Sequence, residues 1–328
     1  MKSPVAPSVK TVTPQSWTKH RLRRFAEVLP CMLYEYVLKP DGSSEFLFVG
    51  SKCRELLELN ENELLADASL FWKLVLEEDL QRLKSEDLSA NTEGISFSAE
   101  VRIQTKSGCL KWIQLSSRPN PAPVGEMVVW CGFMLDITER KNMAEQVRQL
   151  AFHDTLTNLA NRRLLNDRLI QAMSASHRSG AYGAVLVLDL DNFKPINDMH
   201  GHLVGDALLV EAAARLKSSV RSMDTVGRFG GDEFVVMVCE LSTDEVDSKM
   251  QAGAVAEKIR VNLAKPYVLT VQHAGQSDVQ IEHHCTASIG AAMFRGKSVC
   301  QDTLFERADA AMYLAKEAGR DQIRFCDI

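Results

Sequence analysis

The stretch AVLVLDLDNFK, residues 184–194, decides the fold of the C-terminal half of this 328-residue chain. Its five leading apolar residues run without interruption into Asp189. An apolar run of this kind predicts a short strand that is buried on both faces, as in an α/β sheet. Because a carboxylate at the end of a buried strand is costly unless it is paired or binds a cation, Asp189 is a candidate site residue.

The sequence around this strand predicts further strands and helices in alternation. Working outward, the patterns predict a helix at 203–220, a hairpin at 228–240, a helix at 244–263, a strand at 286–294, a helix at 303–318 and a strand at 322–325. Strands that alternate with helices in this way indicate an α/β domain.

The predicted hairpin turns at Gly230-Gly231-Asp232-Glu233. Two glycines allow positive φ angles and let a ligand approach the turn closely, and the two acids place carboxylates at its tip. Mg²⁺ prefers oxygen ligands and keeps several waters, so one or two carboxylates with substrate phosphates make a site. A hairpin whose acids are simply solvated would show the same four residues.

Several spaced motifs identify a family. The matching segments are Asp154–Arg163, Asp189–Lys194, Ile196–Asp198, Gly201-His202, Gly205-Asp206, Gly230–Phe234 and Ser288–Gly290. Together they resemble the GGDEF family of diguanylate cyclases over about residues 151–328, with Ala160 where proline is common. The resemblance implies a catalytic domain similar to the nucleotidyl cyclase palm.

The resemblance implies a metal site at the end of the first strand. Asp189 and Asp232 would coordinate Mg²⁺, or Mn²⁺, with the Leu190 carbonyl nearby. Glu233 would assist the metal or the proton transfer. These roles agree with the preference of Mg²⁺ for oxygen ligands.

The resemblance also implies how the nucleotide is held. Asn197 and Asp206 match the family's guanine-reading pair, in which a carboxylate accepts from N1–H and the 2-amino group. Lys316 and Arg320 resemble its phosphate-binding pair. As isolated residues, three of these four have an ordinary explanation: Asn197 in a turn, Asp206 near a helix start and Lys316 in a last helical turn.

A second group of residues is predicted to contact the phosphates of the substrate through backbone N–H groups. It comprises Phe193 and Lys194, expected in the loop after the first strand, and Gly230 and Gly231 in the turn. Backbone N–H groups in such segments cradle phosphates.

The implied reaction joins two GTP molecules into cyclic di-GMP and releases two pyrophosphates. Because each subunit would hold one GTP, two catalytic domains must face each other in a homodimer. Arg221 and Asp224 stand where the family has its RxxD product-inhibition motif. The alternative is a degenerate domain that acts as a receptor for GTP or cyclic di-GMP.

The N-terminal half predicts two strands, helices and three more strands, and ends in Asp136-Ile137-Thr138-Glu139-Arg140. This order and this exit sequence resemble a PAS domain, an antiparallel sheet with short helices. We expect a mobile segment at 1–24, a PAS sensor at 25–138, a helical linker at 139–152 and the GGDEF domain at 153–328. Haem bound through histidine is not expected, because no histidine lies between His20 and His153.

The linker places Met143, Val147 and Leu150 at the 4,3 spacing of a coiled-coil seam, which favours a homodimer through the PAS domain and this helix. An ordinary amphipathic helix explains the same short pattern. The net charge of −5 argues against a nucleic-acid partner. The longest apolar runs are too short to cross a bilayer, and with no signal-peptide pattern we expect a cytoplasmic protein.

Overall fold

A computed structural model describes residues 27–39, 43–120, 128–271, 279–296 and 299–326. The chain divides into two compact units, with the division between Glu145 and Gln146, inside the predicted linker. The N-terminal segment predicted to be mobile lies outside the described residues. The predicted domain boundaries themselves stay predictions.

The N-terminal unit is a five-stranded antiparallel sheet in the order β2-β1-β5-β4-β3. Its strands are β1 (Cys31–Leu38), β2 (Ser44–Val49), β3 (Phe97–Gln104), β4 (Leu110–Pro119) and β5 (Val129–Asp136). Between β2 and β3 lie α1 (Cys53–Leu57), α2 (Glu61–Ala66), α3 (Ser69–Leu74) and α4 (Glu77–Glu93). The helices follow the second strand, as the sequence pattern predicts.

The core of this unit lies between one face of the sheet and the helices. Strand β3 alternates Phe97, Ala99, Val101 and Ile103 toward that core, and the residues between them are more exposed. This period of two is typical of an antiparallel sheet with one covered face. Trp130 of β5 is one of the largest fully buried side chains.

The helix α5 (Thr138–Phe152) follows β5 and carries no buried residue. The remaining elements form the C-terminal unit. Its helices are α6 (Arg162–Ser179), α7 (Phe193–His200), α8 (His202–Ser219), α9 (Glu245–Leu263) and α10 (Gln301–Glu317). Its strands are β6 (Gly183–Leu190), β7 (Thr225–Gly230), β8 (Glu233–Val238), β9 (Tyr267–Val271), β10 (Val279–His283), β11 (Ala287–Phe294) and β12 (Ile323–Phe325).

Strand β6 is the middle strand of a mixed sheet in the order β12-β11-β6-β8-β7, in which only β11 and β12 pair in parallel. Leu186 and Leu188 point into a core with residues of α8 and α9, and Val185 and Val187 into a core with residues of α6 and α10. Burial on both faces explains the uninterrupted apolar run. Because side chains alternate along a strand, Asp189 lies on the α10 face.

The structure corrects one local prediction and adds elements that were not predicted. Phe193 and Lys194 begin α7 instead of lying in a loop. Asn192 takes a left-handed conformation, and Pro195 fits the first helical turn because its missing N–H has no helical partner there. Helix α6 and the separate β9–β10 ribbon were absent from the prediction.

None of the helices in the described part of the chain has the length and apolar character needed to span a bilayer. The predicted linker helix is present as α5, whose Met143, Val147 and Leu150 are 53%, 65% and 64% exposed. Whether these three residues pair with a second copy stays a prediction.

Candidate active site

The site begins at Asp189, the carboxylate that follows the buried run of β6. Its side chain is 13% exposed, and its Oδ2 lies 2.8 Å from the Nζ of Lys316 in the last turn of α10. Burial raises the pKa of Asp189, and the nearby Asp232 raises it further, whereas Lys316 lowers it. A buried carboxylate with an acidic neighbour and one cation favours additional positive charge at this point.

The hairpin between β7 and β8 brings the second acid to the same place. Gly230 and Gly231 both have positive φ, 150° and 51°, a conformation that residues with side chains rarely adopt. The backbone N–H of Leu190 donates to the carbonyl of Asp232 at 3.3 Å. Glu233 pairs directly with Asp189 across β6 and β8, so both side chains lie on one face of the sheet.

Gly290 on β11 explains how Lys316 reaches Asp189. A Cβ atom at this position would lie 2.0 Å from the carbonyl oxygen of Ala308 and 2.1 Å from the backbone nitrogen of Met312, both in α10. No side chain fits such a gap. The glycine therefore lets α10 lie close against the sheet, with its last turn beside the end of β6.

The donor set fits a magnesium ion that is completed by a substrate. Asp189 and Asp232 are held together without a third acidic, histidine or cysteine ligand: among the described residues, no group of three or more such side chains is placed to hold a metal. Mg²⁺ keeps waters and takes phosphate oxygens, so two carboxylates and a backbone carbonyl are sufficient protein ligands. Lys316 already places one cation on Asp189.

The predicted guanine-reading pair is also brought together. The side-chain amide of Asn197 on α7 lies against Gly205 on α8, where an added Cβ would be 1.9 Å from Asn197 Oδ1. Asp206 follows Gly205 directly and is exposed. The Asn197 amide thus lies against the residue that precedes Asp206, and both predicted residues are inside helices and not in the turn and helix start that each suggests alone.

Asp191 is a structural centre of the site that the sequence analysis missed. It is 4% exposed, and its carboxylate accepts from Thr286 Oγ1 at 2.7 Å, Ser288 Oγ at 2.7 Å and the backbone N–H of Asp321 at 3.1 Å. Arg320 and Asp321 have positive φ, 65° and 46°. Asp191 therefore ties the end of β6 to β11 and to the segment that carries Arg320.

A second missed feature joins the opening motif to the hairpin. Arg228 on β7 donates through Nε and Nη2 to the carbonyl of Gly231 at 2.9 and 2.7 Å, and through Nη1 to both oxygens of Asp154 at 3.0 and 3.1 Å. Both side chains are largely buried, which strengthens the pair. Asp154 begins one matching motif and Arg228 stands just before another, but the contact between them spans 74 residues.

The predicted inhibition motif forms part of a groove of about 320 Å³ that also contains Lys258. Arg221 is exposed, whereas Asp224 is 8% exposed. The carboxylate of Asp224 accepts from the backbone N–H groups of Arg221 at 2.9 Å and Cys239 at 3.1 Å. Asp224 thus shapes the loop that presents Arg221.

The remaining predicted residues are not tied into the site by their side chains. Lys194 and Arg320 are exposed, and within the described ranges neither forms a side-chain hydrogen bond or ion pair. Phe193 packs against the core formed with α8 and α9. The structure thus brings Asp189, Asp232 and Lys316 together and places Asn197 against Gly205, next to Asp206. Lys194 and Arg320 are exposed to solvent.

Comparisons with known proteins match the part of the chain that carries these residues. The family model described as "Diguanylate cyclase, GGDEF domain" matches residues 151–322. The bifunctional diguanylate cyclase/cyclic di-GMP phosphodiesterase MucR of Pseudomonas aeruginosa is 43% identical over 173 residues, which is 53% of this chain and 23% of MucR. Diguanylate cyclase DgcM of Escherichia coli K12 is 35% identical over 200 residues, 61% of this chain and 44% of DgcM.

Solved structures also match. The coiled coil and GGDEF domain of DgcB from Caulobacter crescentus, in complex with c-di-GMP, is 29% identical, covers 58% of this chain and 93% of that one, and gives a TM-score of 0.49. The chain spans about a quarter of the length of the first curated relatives it matches. On the family match over half its length, this chain belongs to the GGDEF-domain family of diguanylate cyclases.

Proposed function

We propose that the C-terminal unit is an active diguanylate cyclase, which condenses two GTP into cyclic di-GMP and two pyrophosphates. One observation carries the proposal: Asp189, Asp232 and Lys316 meet at the end of β6, in the same unit as the adjacent Asn197 and Asp206. Acids for a metal, a cation for phosphate and a guanine-reading pair are the parts that this reaction needs.

Each side chain then has a chemical role. Asp206 accepts from guanine N1–H and the 2-amino group, and the Asn197 amide meets O6 or N7, a pattern that adenine does not match. Lys316 and Arg320 offset charge on the leaving pyrophosphate. The backbone at Phe193, Lys194, Gly230 and Gly231 lies along the phosphates.

Asp189, Asp232 and the Leu190 carbonyl would hold Mg²⁺, with Glu233 beside them. When bound, such an ion supplies charge neutralisation at the phosphates and lowers the pKa of the attacking hydroxyl. The 3′-hydroxyl oxygen of each GTP bonds to the α-phosphorus of the other, and its proton passes to Glu233 or to water. In each of these two steps the bond from that phosphorus to the oxygen bridging to the β-phosphorus breaks, which releases one pyrophosphate. Two catalytic units must face each other, so the active species is a homodimer.

The groove at Arg221 and Asp224 is proposed to bind the product. The exposed guanidinium of Arg221 suits a guanine edge or a phosphate. Asp224 holds the Arg221 loop through two backbone N–H groups, which supports a role in positioning as well as in binding. Product bound there would lower activity by holding the catalytic units apart.

The N-terminal unit is proposed to be a PAS sensor that regulates the cyclase through α5. A five-stranded antiparallel sheet with helices between its second and third strands supports this proposal. The exit sequence is anchored to the sheet, because the hydroxyl of Thr138 accepts from the backbone N–H of Trp112 at 2.9 Å.

The direct test is to incubate the purified chain with GTP and Mg²⁺ and to separate the products by chromatography. We expect cyclic di-GMP from the wild type. Asp232→Ala should reduce turnover at least about 10²-fold, the usual scale for losing a group that stabilises transition-state charge, with unchanged thermal unfolding. Turnover that survives in Asp232→Ala would remove the metal assignment.

The same assay separates the receptor alternative. A verified dimer that binds GTP or cyclic di-GMP but forms no product would be a receptor. For an active enzyme, Arg221→Ala should weaken inhibition by added cyclic di-GMP about tenfold or more, consistent with losing a charged contact. The neighbouring Ser222→Ala is the control, and an inhibition curve unchanged by Arg221→Ala would reject this site.

A further inference from the structure

The N-terminal unit contains an aromatic pocket between its sheet and its helices. It is lined by Tyr34, Tyr36, Ser44, Phe46, Phe71, Trp72, Leu83, Asp87, Phe97, Leu115 and Met134. Nine of these residues are buried, and the other two, Ser44 and Trp72, are half-buried. The indole N–H of Trp72 donates to Ser44 Oγ at 3.2 Å, so these two residues mark the mouth.

Asp87 is the one charged residue in this lining. It is 7% exposed, and within the described part of the chain its partner is the hydroxyl of Tyr36, which donates to Oδ1. The second carboxylate oxygen, Oδ2, makes no hydrogen bond to a described residue. Because Asp87 lines the pocket, this carboxylate is placed to meet a ligand there.

A second buried acid on the same helix, Asp79, has a cationic partner, whereas Asp87 does not have one among the described residues. Asp79 is 8% exposed, and Arg102 donates to both of its oxygens at 3.0 Å. This cation lowers the pKa of Asp79, whereas burial raises the pKa of Asp87. Helix α4 thus contains one buried acid with a cation and one without, and the second opens onto the pocket.

The surroundings of Asp87 are aromatic, and one of the rings, Trp72 at the edge of the pocket, already has the ammonium group of Lys84 5.9 Å from its centroid. Tyr34, Tyr36 and Phe46 form a cluster of rings with centroids 5.8–6.3 Å apart. Phe71 and Trp72 form a second pair, with centroids 5.5 Å apart. The faces of aromatic rings attract cations, and cages of such rings recognise ammonium groups. A carboxylate at the wall supplies the opposite charge.

We propose that this pocket binds the ammonium head of a small organic cation, with Asp87 as its counter-ion and the rings around it as its cage. The head would donate an N–H to the free oxygen of Asp87. This site belongs to the N-terminal unit, and the inference does not depend on the proposed cyclase activity.

The size of the pocket restricts the ligand. The space in it that the centre of a water molecule can occupy is about 30 Å³, above the 10–15 Å³ or so that a single water needs. All of the empty space between the lining atoms, including the part open to solvent, is about 360 Å³. An ammonium or methylammonium head therefore fits inside, and an apolar remainder of the molecule would lie toward Trp72.

The test compares an amine with its neutral counterpart on the full chain. Benzylamine and benzyl alcohol differ in the ammonium group, and methylammonium probes the site of that group alone. Calorimetry should show benzylamine binding to the wild type at least about tenfold more tightly than benzyl alcohol, the scale of one charge-assisted hydrogen bond. Asp87→Asn should remove this preference, because it keeps the shape of the side chain and loses its charge.

Glu86→Gln is the matched control, since it removes one negative charge from the adjacent, exposed position of α4. We expect it to keep the wild-type preference. Equal affinity for the amine and the alcohol in the wild type would overturn the proposal and indicate a protonated Asp87 that takes neutral ligands. An unchanged preference in Asp87→Asn would overturn it as well.

A measurement on the wild type alone covers the case in which Asp87→Asn does not fold. Methyl-labelled methylammonium bound inside a cage of rings should show an upfield-shifted methyl resonance and nuclear Overhauser contacts to aromatic protons. If saturating methylammonium gives neither signal, the aromatic pocket is not an ammonium site.

Discussion

At the scale of single residues, the acids of the motif DLD at 189–191 have different tasks. Asp189 keeps a partly exposed carboxylate that pairs with Lys316, whereas Asp191 is buried and accepts three hydrogen bonds. The three donors come from residues 95–130 positions away in the sequence. Asp191 therefore acts on the site by holding it together and has no need to touch the substrate.

We expect Asp191→Asn to destabilise the protein and to impair the site. The amide keeps one acceptor oxygen but turns an N–H group toward donors, which leaves buried hydrogen-bonding groups unpaired at about 1–3 kcal/mol each. Urea unfolding should show this loss, and kcat/KM for GTP should fall because the Arg320 segment loses its anchor.

The control for this prediction is Asp198→Asn, the exposed acid in α7, which should change the free energy of unfolding by no more than about 0.5 kcal/mol. If Asp191→Asn matched Asp198→Asn in both measurements, Asp191 would not be the anchor of the Arg320 segment.

At the scale of elements, the site depends on how closely α10 packs on β11. The helix brings Lys316 to Asp189 only because Gly290 leaves room for the backbone at Ala308 and Met312. Both neighbouring atoms are backbone atoms of a regular helix, so a local side-chain rotation does not relieve a clash. The position of the helix itself must change.

We therefore expect Gly290→Ala to cost about 1–3 kcal/mol of stability, the usual cost of overpacking a core. It should also lower cyclase activity, because displacing α10 separates Lys316 from Asp189. Thermal unfolding and the product assay measure the two effects.

A matched glycine in α9 gives the opposite expectation. A Cβ added to Gly253 would come no closer than 3.9 Å to the ring of Phe325, an ordinary contact. Gly253→Ala should raise stability by about 0.5–1 kcal/mol through helix propensity and leave activity unchanged. The interpretation of Gly290 would be wrong if both variants moved stability in the same direction.

The elements of the C-terminal unit show what a single sequence predicts. The buried run of β6 and the Gly-Gly turn are local patterns, and the strand and the turn were predicted where they are observed. The hairpin was predicted at 228–240, and its first strand begins three residues earlier, at Thr225. The start of α7 at Phe193 was missed because an asparagine at 192 and a proline at 195 together are typical of a loop. A proline in a first turn carries no penalty, which local pattern alone does not reveal.

The contacts that complete the site could not be predicted from sequence patterns, because they join residues that are far apart in the sequence. The pair Arg228–Asp154, the donors on Asp191 and the α10 backbone against Gly290 all join distant segments. Each residue also has an ordinary local explanation. Spacing to other motifs predicted which residues belong to the site, and the fold determines which of them touch.

At the scale of the whole molecule, the proposed mechanism needs two copies of the chain, and α5 is one element that offers an apolar surface for this. Met143, Val147 and Leu150 are more than half exposed on a helix that buries none of its residues. Exposed apolar side chains at 4,3 spacing are typical of a helix that pairs with another helix.

We predict that Val147→Lys with Leu150→Lys weakens self-association at least about tenfold, because each apolar side chain is worth about 1.5–3 kcal/mol when buried and charges would repel across the seam. Sedimentation equilibrium measures the dissociation constant. The specific activity of the wild type should rise with protein concentration, and the double variant should need about tenfold more protein to reach the same value.

The matched control is Asn142→Lys with Gln146→Lys, which adds the same charge at exposed polar positions of the same helix. This variant should associate like the wild type, because it leaves the three apolar side chains in place. Two results would contradict the seam: equal weakening in both double variants, which would indicate a general charge effect, or a wild-type specific activity independent of concentration. In the second case each unit would turn over without a partner, and the requirement for two facing copies would fail with it.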